Sequence, residues 1–143
     1  MKRIALGLAA VVLWSSAASA QIYDIDTGIQ KRDGHLRNAD FFDAAKYPAL
    51  TFKSTHVTGI NGSKAKLHGD LTMHGVTKPV VLDLEITGTI KDPWGGTRAG
   101  AVATGKVNRK DFGITYNQVL DSGGLMLGED VDVAINIEGV AKK

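Results

Sequence analysis

The sequence predicts an all-β domain built on one antiparallel sheet. Three observations carry this. Side-chain character alternates with period two through five segments after residue 48. Turn-forming stretches separate several of these segments, so neighbours in sequence become neighbours in the sheet. Helical turns are plausible only over two short pieces, Lys31 to Arg37 and Phe41 to Lys46.

The strands follow in order. Ala49 to Val57 opposes Leu50 and Phe52 to Thr51, Lys53 and Thr55. Lys64 to His74 sets Ala65, Leu67, Gly69, Leu71 and Met73 against Lys64, Lys66, His68, Asp70, Thr72 and His74. A strand sends successive side chains to opposite faces, so one face here is wet and the other buried. His74 to Thr77 reads as a hairpin connection, with Pro79 confined to the start of the next strand. That strand, Lys78 to Ile90, puts Val80, Leu82, Leu84, Ile86 and Ile90 on one face. Asp92-Pro93-Trp94-Gly95-Gly96 is turn chemistry. Ala99 to Asn108 is a strand of small residues, and Glu129 to Val140 alternates Val131, Val133, Ile135 and Ile137 with polar partners.

The first twenty residues read as a secretory signal peptide of bacterial type. Lys2 and Arg3 form a basic start, Ile4 to Trp14 is apolar, and Ala18-Ser19-Ala20 is an A-x-A cleavage signal. The apolar run is too short to span a bilayer comfortably. Cleavage after Ala20 and a periplasmic location are the expectation. Lys2 and Arg3 are two of the 17 basic residues, so the remaining chain carries 15 basic against 15 acidic side chains. A neutral balance gives no reason to expect nucleic acid or an anionic membrane surface as a partner. The remaining 123 residues make one domain, Gln21 to Lys143, with no second long apolar run. There is no cysteine, which excludes disulfides, thiolate metal sites and cysteine nucleophiles.

Catalytic and metal constellations find little support. His68 and His74 share a strand face but lie about 20 Å apart at the usual rise. No H-x-H or H-x-x-x-H pair accompanies His35, His56, His68 and His74, so they read as solvated histidines, with no metal expected. Asp83 and Glu85 sit on the wet face, whereas general acid work needs a desolvated or partnered carboxyl. Ser54, Ser63 and Ser122 have no nucleophile-elbow context. Gly123-Gly124 has no following helix to make a phosphate cradle. The cluster Arg109-Lys110-Asp111-Phe112-Gly113 reads as a structural corner, Asp111 capping backbone and pairing with Arg109; a rim meeting a polar head group is its functional alternative.

The small-residue strand is the most suggestive feature. Ala99, Ala101, Ala103 and Gly105 share one face in a sheet otherwise lined by leucine, valine and isoleucine. In a barrel of about eight strands, small inward residues leave room for one slender ligand. Close packing by bulky neighbours is the other reading, and the residues alone leave both open.

Four strings in order resemble one family: RDGHLRNADFFD (Arg32 to Asp43), YPALTFKST (Tyr47 to Thr55), GDLTMHGVTKPV (Gly69 to Val80) and VNRKDFG (Val107 to Gly113). Their spacing is similar to that of the YceI-like proteins, periplasmic lipocalin-like barrels that bind polyisoprenoid chains. The resemblance implies an antiparallel eight-stranded lipocalin-like β-barrel whose apolar cavity holds an isoprenoid lipid or quinone tail, without catalysis or cofactor. Combined with strand phase, it makes Leu71, Met73, Leu82, Leu84, Ile86, Ala99, Ala101, Ala103, Val133 and Ile135 wall residues. Phe41, Phe42 and Phe52 would close or line one end.

The chain departs from the family near its start. Family members open on a strand resembling Y-x-I-D-x-x-H-S-x-V-x-F and reach a segment like I-D-T-G-x-x-x-R-D-x-H-L-R only after further strands. Here Tyr23 to Asp26 fits the first and Ile25 to Gly28 the second, fused at a shared Ile-Asp. The expectation is an incomplete barrel of about five strands, lacking about three of the usual eight. Its open edges favour pairing with a second copy, a homodimer, or with another chain. A carrier for an isoprenoid lipid is therefore the leading expectation. An interaction protein working through open sheet edges is the alternative, and an enzyme has the least support.

Overall fold

A computed structural model of the protein describes residues 2–12, 17–22, 25–118 and 127–140. The five expected strands are all present, as β3 (Ala49–Asn61), β4 (Lys64–Met73), β5 (Val76–Lys91), β6 (Thr97–Asn108) and β7 (Leu127–Val140). Each pairs antiparallel with the next. His74 and Gly75 connect β4 to β5 with φ of 54° and 73°. Two positive φ values in a two-residue loop match the right-handed twist of the flanking strands. Gly75 is required twice over, since a Cβ there would meet the Tyr47 ring at 2.5 Å.

Two further strands come from the segment read as a leader. β1 (Lys2–Val12) runs parallel to β7, and β2 (Ala17–Gln21) runs antiparallel to β3. The sheet order is β1-β7-β6-β5-β4-β3-β2. Residues 2–20 carry no strand in the expectation from the sequence. Without β1 and β2 the edges of β3 and β7 would present unpaired backbone groups, which are templates for any extended segment within reach. Among the described residues no hydrogen-bonded pair joins β1 to β2, so the sheet does not close.

Before β3, α1 (Gln30–Arg37) is the one α-helix among the described residues. Phe41 to Lys46, expected as helix, forms successive turns instead, with Tyr47 N–H bonded to Asp43 O at 2.8 Å. Asp43 takes a φ of 49°, which a helix cannot continue through. Helix α1 carries Arg32, Asp33 and Arg37, and these pin the connector before it. Asp33 accepts from the Thr27 amide at 2.9 Å and from its hydroxyl. Arg32 donates to Thr27 O at 2.9 Å and Arg37 to Ile25 O at 2.6 Å. The RDGHLR string is thus a latch holding 25–27 against the helix.

Two register shifts alter the faces read from alternation. One lies between Ser54 and His56 in β3, the other between Ile86 and Gly88 in β5. A bulge inserts one residue and flips everything beyond it. Ile90, expected beside Ile86 on the inner face, instead pairs with Arg98 on the outer one and is 66% exposed. Thr89 takes the inner position opposite Ala99.

Candidate functional site

The inner face of β3 to β7 forms one apolar wall. Phe52 lies opposite Leu71, and Leu67 opposite Leu82. Leu84, Ala103 and Ile135 form a row across β5, β6 and β7. Gly105 and Val133, then Val107 and Val131, continue it toward the strand ends.

That end of the wall is sealed. Phe41, Phe42, Ala44, Leu50, Met73, Phe112 and Ile114 are all buried there in one cluster. Phe41 meets Tyr116 and His35 edge-on, at 5.1 and 4.9 Å between centroids. The corner after β6 is a single 3-10 turn, Arg109–Phe112, which His74 Nδ1 engages at Phe112 O at 3.0 Å. Arg109 continues the inward phase of β6 and is 1% exposed. It does not pair with Asp111. Its Nε donates to Gly128 O and its Nη1 to Ile114 O, both at 2.9 Å, while Nη2 has no partner among the described residues. Burial lowers the guanidinium pKa, and nearby Glu129 opposes that. The cap of this corner is Asn108, which accepts from Lys110 N at 2.9 Å. The corner is thus present, but the Asp111 cap and the Arg109–Asp111 pair are corrected: chain packing at the sealed end draws Arg109 inside, while Lys110 and Asp111 stay exposed.

Toward the other end the same wall opens. Along β5, Leu82 is buried, Leu84 half-buried and Ile86 46% exposed. Along β6, Ala103 is buried while Ala101 and Ala99 are half-buried. Along β7, Ile135 is buried and Ile137 half-buried. Of the wall residues expected from the sequence, Phe41, Phe42, Phe52, Leu71, Met73, Leu82, Ala103, Val133 and Ile135 are buried together. Leu84, Ala99, Ala101 and Ile86 stand along the opening side.

The room left by small residues is divided. A Cβ on Gly105 would come within 2.6 Å of Leu82 Cδ2, so Leu82 already fills that space. Ala99 and Ala101, farther along the strand, are half-buried. Close packing and open wall thus both occur on one strand, at different heights. Leu67 and Val131 join the wall in the same phase and were legible by it, whereas Phe112 and Ile114 sit in irregular backbone with no periodic signal.

Outside the wall, Asp83 and Glu85 are exposed, and Lys66 pairs with Asp83. His35, His68 and His74 are half-buried and bonded, not simply solvated, and His56 is exposed. No group of three metal-ligating side chains occurs among the described residues, and no helix among them is long and apolar enough to cross a membrane. Tyr23, Ser122 and Gly123-Gly124 lie outside the described residues.

The sequence profile of the YceI-like domain matches residues 7–139. The chain belongs to the YceI-like family. It is 43% identical over 131 residues to a UPF0312 protein of Vibrio cholerae, covering 88% of this chain and 65% of that one. It is 47% identical over 119 residues to protein YceI of Escherichia coli O157:H7, covering 83% and 59%. The chain thus spans less than two thirds of the length of these relatives. The crystal structure of a Campylobacter jejuni YCEI protein superposes with a TM-score of 0.76 at 35% identity, covering 89% of this chain and 72% of that one. Burkholderia cenocepacia BcnA shares the fold, with a TM-score of 0.70 at 19% identity over 88% and 73% of the two chains. This YceI-like chain therefore carries a five-stranded antiparallel core of lipocalin-like kind that is not closed.

Proposed function

We propose that this protein is a periplasmic, non-enzymatic carrier that holds an isoprenoid lipid or quinone tail against its apolar wall. The graded exposure of that wall carries the reading. Leu82, Leu84 and Ile86, with Ala103, Ala101 and Ala99 beside them, pass from sealed to open along one direction. A slender apolar chain lying along them buries both its own surface and the Ile86 flank, at about 25 cal/mol per Å². Family membership supports the ligand class, and the basic-apolar-small pattern of residues 2–20 supports export.

Native mass spectrometry of the purified chain beginning at Gln21 tests this. The expected result is a co-purified apolar molecule of polyprenyl mass, released by organic solvent. Ligand-free protein from cells that make such lipids, with no uptake on incubation with a polyprenol, would overturn it.

A second reading has its own observation. β3 and β7 both accept an added strand, β2 and β1 respectively. Without residues 2–20 those edges become available to a second copy or another chain. A stable ligand-free oligomer in the same experiment favours this interaction role over the carrier role.

A further inference from the structure

The outer face of the β3–β4 hairpin brings together two histidines that strict alternation would separate. Up to Ser54 the register pairs Ser54 with Gly69, and continuing it would turn His56 inward opposite Leu67. The bulge beyond Ser54 instead sets His56 directly opposite His68. Their rings stack with centroids 4.2 Å apart and planes 15° from parallel. A hydroxyl engages one nitrogen of each ring: Thr58 Oγ1 lies 2.8 Å from His68 Nε2, and Thr55 Oγ1 lies 3.0 Å from His56 Nδ1. His68 Nδ1 and His56 Nε2 have no hydrogen-bond partner among the described residues.

We propose that His56 and His68 form a two-histidine site for a divalent transition metal ion such as Zn²⁺, Ni²⁺ or Cu²⁺. Directly opposed strand residues hold their Cβ atoms about 4.5–5.5 Å apart, so both imidazoles can reach one ion. Two nitrogens on a tetrahedral ion at about 2.0–2.1 Å stand about 3.3 Å from each other. The ring centroids stand 4.2 Å apart in near-parallel planes, and rotation about the side-chain torsions would turn one nitrogen of each ring toward a shared ion. The paired strands fix both Cα positions, so little ordering is needed on binding. Neutral imidazoles select zinc, nickel and copper, whereas magnesium and calcium require oxygen donors. The threonine hydroxyls play the outer-shell part, holding each ring by its other nitrogen. Lys66, two residues from His68 on the same face, is paired with Asp83, so its charge is compensated. Water completes the coordination sphere, which makes the ion exchangeable.

The test is titration of tag-free protein with Zn²⁺ or Ni²⁺ by calorimetry, with histidine side-chain NMR alongside. One equivalent binds with micromolar affinity, the His56 and His68 resonances move, and those of His35 and His74 do not. His56→Gln and His68→Gln, both on the solvent side of the hairpin, each weaken binding about tenfold or more. Either change also removes the rise in melting temperature that the ion gives the unmodified protein. No uptake by the unmodified protein, or unchanged affinity in the double variant with folding intact by circular dichroism, overturns the proposal.

Discussion

The Phe52 ring occupies the space where Gly69 lacks a side chain: a Cβ on Gly69 would sit 2.4 Å from Phe52 Cζ and 2.5 Å from Lys53 O. Gly69 pairs with Ser54, one step from the Phe52–Leu71 pair, so the ring reaches diagonally across the strands. An aromatic covering a strand glycine restores the packing that the glycine gives up. Gly69→Ala therefore meets backbone as well as ring, and rotation of Phe52 alone cannot relieve it. The expected loss is about 1–3 kcal/mol in urea denaturation. Gly105→Ala meets first the flexible end of Leu82 at 2.6 Å, so its loss is smaller.

Asp33 links the helix latch to pH. The Thr27 hydroxyl, chiefly, holds its carboxyl below the usual value of 3.8, with the Thr27 amide and the Arg37 and Arg32 charges adding to it against desolvation. A folded-state pKa below the unfolded one means that the unfolded chain binds the proton more tightly. The latch's stabilisation is thus fully present above about pH 3.9 and is lost as pH falls through the lower folded-state value. Asp33→Asn should melt at a lower temperature than the unmodified protein at pH 7, and the gap should narrow on acidification below pH 4. A gap independent of pH would show that the carboxylate charge is not what holds the connector.

Arg109 organises the sealed end through two carbonyls, Gly128 O and Ile114 O. Arg109→Ala strands both acceptors and opens a cavity, an expected cost of about 3–5 kcal/mol. Arg109→Met keeps the volume and removes both the buried charge and its unpaired Nη2, so it should cost about 1–2 kcal/mol. Denaturant midpoints of the two variants measure the difference. Equal losses would place the stabilisation in the hydrogen bonds rather than in the filled space.

What the sequence made legible depended on signals local to one strand. Alternation from Lys64 to Met73 located β4 and its buried face directly, since period two is a property of a single chain segment. The bulges were not legible, because a register shift belongs to two strands at once. Hence Ile90 was expected inside, and His56 was not expected opposite His68. Arg109 was expected to pair with Asp111 for a related reason. A charged residue after a strand is exposed in most settings, and only the fold shows two carbonyls waiting for it. Phase located part of the wall: of the ten strand residues it assigned, Leu71, Met73, Leu82, Ala103, Val133 and Ile135 are buried together in the core. The gradient along the wall was not legible, since exposure depends on which strand ends are covered by residues 25–48 and 109–116.

That gradient separates two alanines on one strand. Ala103 has no exposed surface and stands in the row between Leu84 and Ile135. Ala101 stands two residues nearer the opening, opposite Ile86 and Ile137, and is half-buried. Ala103→Leu overpacks the sealed region and should cost about 1–3 kcal/mol of stability whatever the ligand. Ala101 is half-buried rather than sealed, so Ala101→Leu should change stability by less than about 1 kcal/mol. Its isobutyl group instead takes up the volume proposed for the isoprenoid tail. Polyprenol binding, followed by fluorescence displacement on the chain beginning at Gln21, should weaken about tenfold or more in Ala101→Leu. Undiminished binding in a well-folded Ala101→Leu protein would move the tail off this wall.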